Sequence, residues 1–284
     1  MNSGIESIGT RTAGTRPDDG VDTHGTGRKT MNMQEATMDR PDAVAGVRNV
    51  ALARAWAVTR MNSRQWMLFV MPWAIVLVVT WAHAAILAII RSQGVEIPDE
   101  GFNGVGSTLF FFSLAMFASI TTQHFPFAMG LGVTRRDFYL GTALTSLCTG
   151  VVNGVLVLVF AQVERATDGY SVHLEVLSVV YRLTGSPALV FLSVVLVTMA
   201  FAALGVFAGV IYLKWRANGL FTAALILAFA AAVAALLITW QRGWPAVGRF
   251  FVDTPIAVLL LAVPAVLGAV LFGVGYRMMR TVEA

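Results

Sequence analysis

Six long uncharged runs dominate this sequence and limit what the chain can fold into. Each has about 20 or more residues, the length that an α-helix needs to cross the hydrocarbon core of a bilayer, and none contains Asp, Glu, Lys or Arg. The chain is 57% hydrophobic and 13% charged, whereas soluble domains average about 25% charged residues. The sequence therefore predicts an all-α, polytopic integral membrane protein with six transmembrane helices, over residues 67–90, 105–125, 138–163, 187–213, 217–240 and 255–276.

The basic residues are distributed unevenly between the two ends of these spans. With the N-terminus in the cytoplasm, eleven Lys and Arg flank the spans on the cytoplasmic side and five lie in the outer loops. Because cytoplasmic loops are enriched in Lys and Arg, we expect both termini to be cytoplasmic. Nearly all the basic residues are Arg, and Ala, Val and Gly are abundant. This composition is typical of a GC-rich bacterial genome and predicts a bacterial plasma membrane protein, while the net charge of +4 does not indicate a nucleic-acid partner.

The residues before the first span divide into two parts. Residues 1–42 are rich in Gly, Thr, Ser and Asp without an apolar period, which predicts a disordered cytoplasmic tail. The tail contains "HGTGRKT", but Asp22 and Arg28 occupy positions where a phosphate-binding loop requires Gly and Lys. Residues 43–284 form the predicted membrane domain. It begins with a helix at 44–65 that either lies in the headgroup layer or simply extends the first span.

Polar residues inside the spans are few. The absence of Asp, Glu, Lys and Arg argues against an ion-coupled carrier, because such carriers use buried charges to bind their ion or proton. His83 and Asn153 are the main intramembrane polar candidates, and each is more typical of a hydrogen bond between helices than of a ligand site. Four His and one Cys without ligand spacing predict no metal site, and we find no motif for a catalytic nucleophile.

Two further patterns concern packing and the outer loops. The pairs Gly150–Gly154 and Gly205–Gly209 have the small-xxx-small spacing that allows close approach of helices, with a dimer contact as a secondary interpretation. Residues 170–186 have apolar residues at helical spacing and predict a helix on the outer leaflet, with a plain loop as the alternative. The loop between spans five and six is short, at 241–254.

The stretch "FPFAMGLGVTRRDFYLG" at 125–141 separates spans two and three. Pro126 can begin a short helix, Gly130 and Gly132 can end it, and Thr134 with Asp137 has the spacing that caps the start of span three. The helix would present Phe125, Phe127 and Met129 beside Arg135 and Arg136. Either another protein covers these apolar side chains, or the Phe residues lie in lipid with the Arg residues on phosphates.

Six spans, cytoplasmic termini, a pre-span helix and this loop resemble the permease subunit of an ABC transporter, of the type-2 exporter group and especially its actinobacterial members. The resemblance covers residues 44–284. It implies a homodimer or heterodimer of permeases and a separate cytoplasmic ATP-binding subunit, which would hold ATP and Mg while this chain binds no cofactor. It also implies a coupling helix at Phe125–Leu131, with Arg135 and Arg136 as polar contacts or membrane anchors.

The function expected from this resemblance is ATP-driven export of a small amphipathic molecule or lipid, by a chain that is not itself an enzyme. Exporters of this group often have helical elements between spans five and six, whereas the corresponding loop in this sequence is short. The alternative is a stand-alone membrane protein, either a passive transporter or a structural subunit.

Overall fold

The computed structural model describes residues 53–54, 56–62, 66–95, 101–102 and 104–281. All of these residues belong to one compact unit at 46–284. Nearly all of the described residues are helical, so the all-α prediction is confirmed. The predicted disordered tail at 1–42 and most of the predicted helix at 44–65 lie outside the described residues, although 56–62 are helical and form α1.

The described part of the chain contains eight α-helices after α1. They are α2 (Trp66–Ser92), α3 (Thr108–Ser119), α4 (Phe125–Gly130), α5 (Arg135–Ala166), α6 (Val179–Thr184), α7 (Pro187–Trp240), α8 (Trp244–Asp253) and α9 (Val263–Met279). A 3₁₀ turn at Gly104–Ser107 precedes α3, and wider π-helical turns occupy Ile120–His124, Gly169–His173 and Val258–Ala262. The short strands β1 (Gly101–Phe102) and β2 (Leu174–Glu175) pair in parallel.

Five helices in the described part of the chain are long and apolar enough to cross a membrane. They are Phe69–Ser92, Gly104–Gly130, Arg135–Ala166, Pro187–Trp240 and Val258–Met279. This supports the prediction of a helical membrane protein. The number differs from the predicted six because residues 187–213 and 217–240 form a single helical element of 54 residues.

The 54-residue helix α7 is interrupted at Arg216. This residue has φ 57° and ψ −155°, whereas its neighbours are helical. A side chain with a Cβ is strained in that backbone region, which is occupied almost only by Gly. Each half of α7, before and after Arg216, is still longer than the roughly 20 residues that a span requires.

Replacing Arg216 by Gly is therefore expected to stabilise the protein. The strain at such a position is of the order of 1–3 kcal/mol, and the additional backbone entropy of Gly in the unfolded chain offsets about 1 kcal/mol of the gain. The thermal unfolding midpoint of the purified protein in detergent should rise. Ala217→Gly is the matched control, because it places Gly in regular helix and should lower stability by about 1 kcal/mol. A lower midpoint for both variants would contradict strain at Arg216.

The first half of α7 is the centre of the bundle and packs against α3, α5 and α9. A Cβ on Gly205 would overlap the carbonyl oxygen of Leu114, and one on Gly209 would lie 2.6 Å from Cβ of Thr121. On α5, Gly150 faces the backbone of Val195 and Gly154 faces the ring of Phe191, both on α7. The two glycine pairs thus lie at contacts between helices of the same chain.

The second half of α7 differs from the first in its surroundings. Residues 217–240 include no buried side chain, and they present large apolar groups such as Phe221, Leu225 and Phe229 on the surface. α8 follows directly and also has no buried residue. The predicted short loop at 241–254 therefore contains a ten-residue helix, and its apolar side chains face away from the described protein core.

The segment at 170–186 is neither the single surface helix that its apolar spacing predicts nor a plain loop. It consists of a π-helical turn, β2 and the six-residue α6. The buried carboxylate of Glu164 at the end of α5 accepts hydrogen bonds from the backbone N–H groups of Val176 (2.7 Å), Leu177 (3.0 Å) and Ser178 (3.4 Å), and from the Ser178 hydroxyl (2.6 Å). Burial, reinforced by the charge of Glu164, raises the pKa of Tyr170 in the same segment.

Candidate partner-binding surface

The short helix α4 presents one apolar face to the bundle and another to the surroundings. Phe125 and Ala128 are buried, and the Phe125 ring contacts the ring of Phe138 on α5 edge to face, with centroids 5.4 Å apart. Phe127 and Leu131 point the other way and are 61% and 65% exposed. Because the buried face is tightly packed, the two exposed side chains are held on a rigid support.

The beginning of α4 differs from the sequence prediction. We expected Pro126 to start a separate helix after span two, but the backbone remains helical through Ile120–His124 into α4. The wider π-helical turn precedes the proline, and Pro126 occupies the first turn of α4. A displacement of α4 would consequently be transmitted along a continuous helical backbone to α3.

The end of α4 and the start of α5 are fixed by local hydrogen bonds. Gly132 has φ 79°, the Gly132 N–H donates to the carbonyl of Met129, and the Val133 N–H donates to the carbonyl of Ala128. These two bonds are those of a Schellman motif, in which Gly is favoured at the left-handed position. Thr134 accepts a hydrogen bond from the Asp137 N–H at 3.1 Å, so the predicted cap of α5 is confirmed. Gly130 is the last residue of α4.

The adjacent arginines Arg135 and Arg136 have different surroundings. Arg135 is half-buried and donates from Nη1 to the carbonyl oxygens of Met279 at 3.1 Å and Arg280 at 3.0 Å. A guanidinium at that position satisfies carbonyls at the C-terminal end of α9. Arg136 is exposed and has no hydrogen bond or ion pair within the described part of the chain. Of the two side chains, Arg136 is therefore the one available to an external anion or partner.

Polar contacts attach α1 to the same end of the bundle. Thr59 donates to the carbonyl of Gly141 at 3.1 Å, and Nδ2 of the buried Asn62 lies 3.4 Å from the Thr145 hydroxyl. Oδ1 of Asn62 is 3.0 Å from Nδ1 of His124, directly before α4. These contacts connect α1, α4 and α5, so the position of α4 depends on all three elements.

A groove of about 430 Å³ lies beside the exposed part of α4. Its walls come from α1, from the turn after α4 and from the start of α5, and include Val58, Met61, Leu131 and Val133. Arg54 and Asp137 also border it, with Nη1 and Oδ2 3.9 Å apart. We call Phe127, Leu131, Gly132 and Arg136, together with this groove, the loop surface. It combines apolar side chains, a free cation and a concave wall.

The two intramembrane polar candidates lie away from the loop surface. His83 is partly buried on α2, and Asn153 is buried on α5, where its Oδ1 accepts a hydrogen bond from Nε1 of Trp73 at 3.0 Å. Among the residues that the structure describes, no group of three or more His, Cys, Asp or Glu could hold a metal ion. Sequence reasoning did not single out Trp73 or Asn62, because their roles depend on contacts over long sequence separations.

No protein-family model, curated protein or solved structure matches this chain.

Proposed function

We propose that this chain is the membrane-spanning permease subunit of an ATP-driven ABC exporter, located in a bacterial plasma membrane with both termini in the cytoplasm. The observation that carries the proposal is the loop surface. It is a rigidly supported apolar patch beside a free arginine, at the end of the second apolar helix. Exposed aromatic side chains on a rigid support are typical of protein–protein contacts, and a motion can pass between subunits only through such packed contacts.

The break at Arg216 supports the six-span topology of this proposal. It divides α7 into two halves, each long enough to cross the bilayer. Two spans at 187–215 and 217–240 return the C-terminus to the side of the N-terminus. Arg135 at the start of α5 contacts Met279, and Lys214 beside the break in α7 contacts Thr281. The break and the end of α9 therefore lie at the same end of the bundle as the start of α5, in agreement with a shared cytoplasmic face.

The helix α8 also supports the resemblance on which the proposal rests. Exporters of this group often have a helical element between spans five and six. The short length of the loop at 241–254 was the one departure from that pattern in the sequence. The structure contains α8, a ten-residue helix, at this position. In the proposed assembly two permease chains form a homodimer or heterodimer, and a separate cytoplasmic subunit binds ATP and Mg and docks on the loop surface.

Affinity isolation of the tagged chain from its native membranes, in mild detergent, tests the proposal. The expected result is co-purification of a protein with a nucleotide-binding P-loop, and ATPase activity in the isolated complex. An epitope inserted after Gly130 should be accessible only after the membrane is permeabilised. Isolation of the chain alone, or an epitope accessible from outside intact cells, would instead favour a stand-alone membrane protein.

A further inference from the structure

A cavity of about 200 Å³ lies within the bundle, between α2, α3 and α5. Its inner wall is formed by the buried side chains of Trp73, Leu109 and Met116. At its mouth are Val70 and Val152, which are 50% and 48% exposed. The cavity is therefore open towards the outside of the bundle, where a spanning helix meets lipid.

Asn153 lines this cavity and is only 6% exposed. The indole N–H of Trp73 can only donate, so the amide of Asn153 must present its oxygen to Trp73, as the 3.0 Å contact shows. The NH₂ group of Asn153 makes no hydrogen bond with any described residue. An amide donor that lines an apolar cavity without a partner is unfavourable, which points to a ligand that accepts from it.

The other polar groups of the cavity offer a ligand no second hydrogen-bond donor. The hydroxyls of Ser113 and Thr149 donate to the carbonyls of Leu109 and Thr145 in their own helices, at 2.8 Å each. They can therefore act only as acceptors towards a ligand. The rest of the lining is apolar and includes Phe69 and Phe112.

The depth of Asn153 in the membrane restricts the type of ligand. At 1.5 Å per residue, Asn153 is about 27 Å along α5 from Arg135 and about 20 Å from Ala166, so it lies near the middle of the span. The ester and phosphate groups of phospholipids lie at the edges of a hydrocarbon core that is about 30 Å thick. A phospholipid in its usual position thus cannot bring an acceptor to Asn153, whereas a neutral molecule dissolved in the core can.

We propose that this cavity binds a neutral, mainly apolar molecule whose carbonyl, ether or hydroxyl oxygen accepts a hydrogen bond from the Asn153 amide. A cavity of about 150 Å³ accommodates benzene, so a ring or a chain of about ten carbons fits here and can extend through the mouth. The inference rests on the cavity of one chain and does not depend on an ATPase partner.

Photolabelling of the full chain in phosphatidylcholine nanodiscs tests this site. One probe is a ketone with about ten carbons and a diazirine. The second probe has the same carbon skeleton and diazirine but no carbonyl. In the wild-type chain the ketone should label peptides that contain Val70 or Val152, and unlabelled ketone should compete. Val152→Phe should reduce labelling by both probes about tenfold by closing the mouth. Val155→Phe is the matched control, since Val155 is equally exposed, at 48%, but does not line the cavity.

A second variant examines the hydrogen bond itself. Asn153→Leu should lower the labelling efficiency of the ketone about fivefold, to that of the hydrocarbon probe, since one hydrogen bond contributes about 1 kcal/mol. If Val152→Phe and Val155→Phe are labelled equally, the proposal is wrong. It is also wrong if a diazirine-bearing phosphatidylcholine labels the cavity and the ketone does not compete, because the site would then hold ordinary bilayer lipid.

Discussion

Replacing Phe127 by Asp is expected to lower retention of the proposed ATP-binding subunit about 30-fold while leaving the chain folded. Phe127 is 61% exposed on a helix whose opposite face is buried, so its replacement should change the free energy of unfolding by no more than about 0.5 kcal/mol. A central aromatic contact at an interface contributes about 2 kcal/mol or more, and a charge in its place also has to be desolvated. The measurement is the amount of co-purified partner and the ATPase activity per copy of this chain.

Two control variants define what this result would mean. Phe127→Leu keeps an apolar side chain and should retain most of the partner. Trp240→Asp changes an aromatic residue that is 81% exposed at the far end of α7 and should leave retention unchanged. If Phe127→Asp and Phe127→Leu retain the partner equally, the loop surface is not the docking site, and Phe127 instead lies in lipid.

Replacing Glu164 by Leu is expected to have the largest effect on stability, a loss of about 3–5 kcal/mol. The carboxylate of Glu164 accepts three backbone N–H groups and one hydroxyl. Without it these donors remain buried and unpaired, and each costs roughly 1–3 kcal/mol. The unfolding midpoint should fall, and hydrogen exchange of the amides of Val176, Leu177 and Ser178 should accelerate.

Glu175→Leu provides the matched control for Glu164→Leu. Glu175 lies in the same segment, but it is partly exposed and, among the residues that the structure describes, its carboxylate pairs only with exposed Arg182 at 3.4 Å. Such a surface pair contributes at most about 1 kcal/mol. Equal loss of stability in the two variants would mean that the carboxylate of Glu164 does not hold the segment in place.

Much of the local structure follows from short stretches of sequence. The apolar runs predict helices of membrane-spanning length, and five such helices are present. Thr134 and Asp137 predict the cap of α5, and Gly132 ends the preceding turn in the left-handed conformation. These features depend on interactions between residues only a few positions apart, which a sequence pattern records directly.

The candidate surface was only partly predictable. The sequence placed Phe125, Phe127 and Met129 together as exposed apolar groups, but Phe125 is buried against Phe138. Arg135 and Arg136 are the same residue type, so the sequence does not distinguish them. In the structure Arg135 donates to the carbonyls of Met279 and Arg280, more than 140 positions further along the chain. Which of two neighbouring side chains faces the bundle depends on how distant helices pack.

The sequence by itself determined that this chain is helical and membrane-like, because uncharged runs of this length can satisfy their backbone in lipid only as helices. Only the tertiary structure decided which polar groups form hydrogen bonds within the protein. No sequence pattern marks Glu164, whose carboxylate accepts four hydrogen bonds in the folded chain. Trp73 orients Asn153 across 80 positions of sequence, and such pairing arises from the arrangement of helices, which no local pattern encodes.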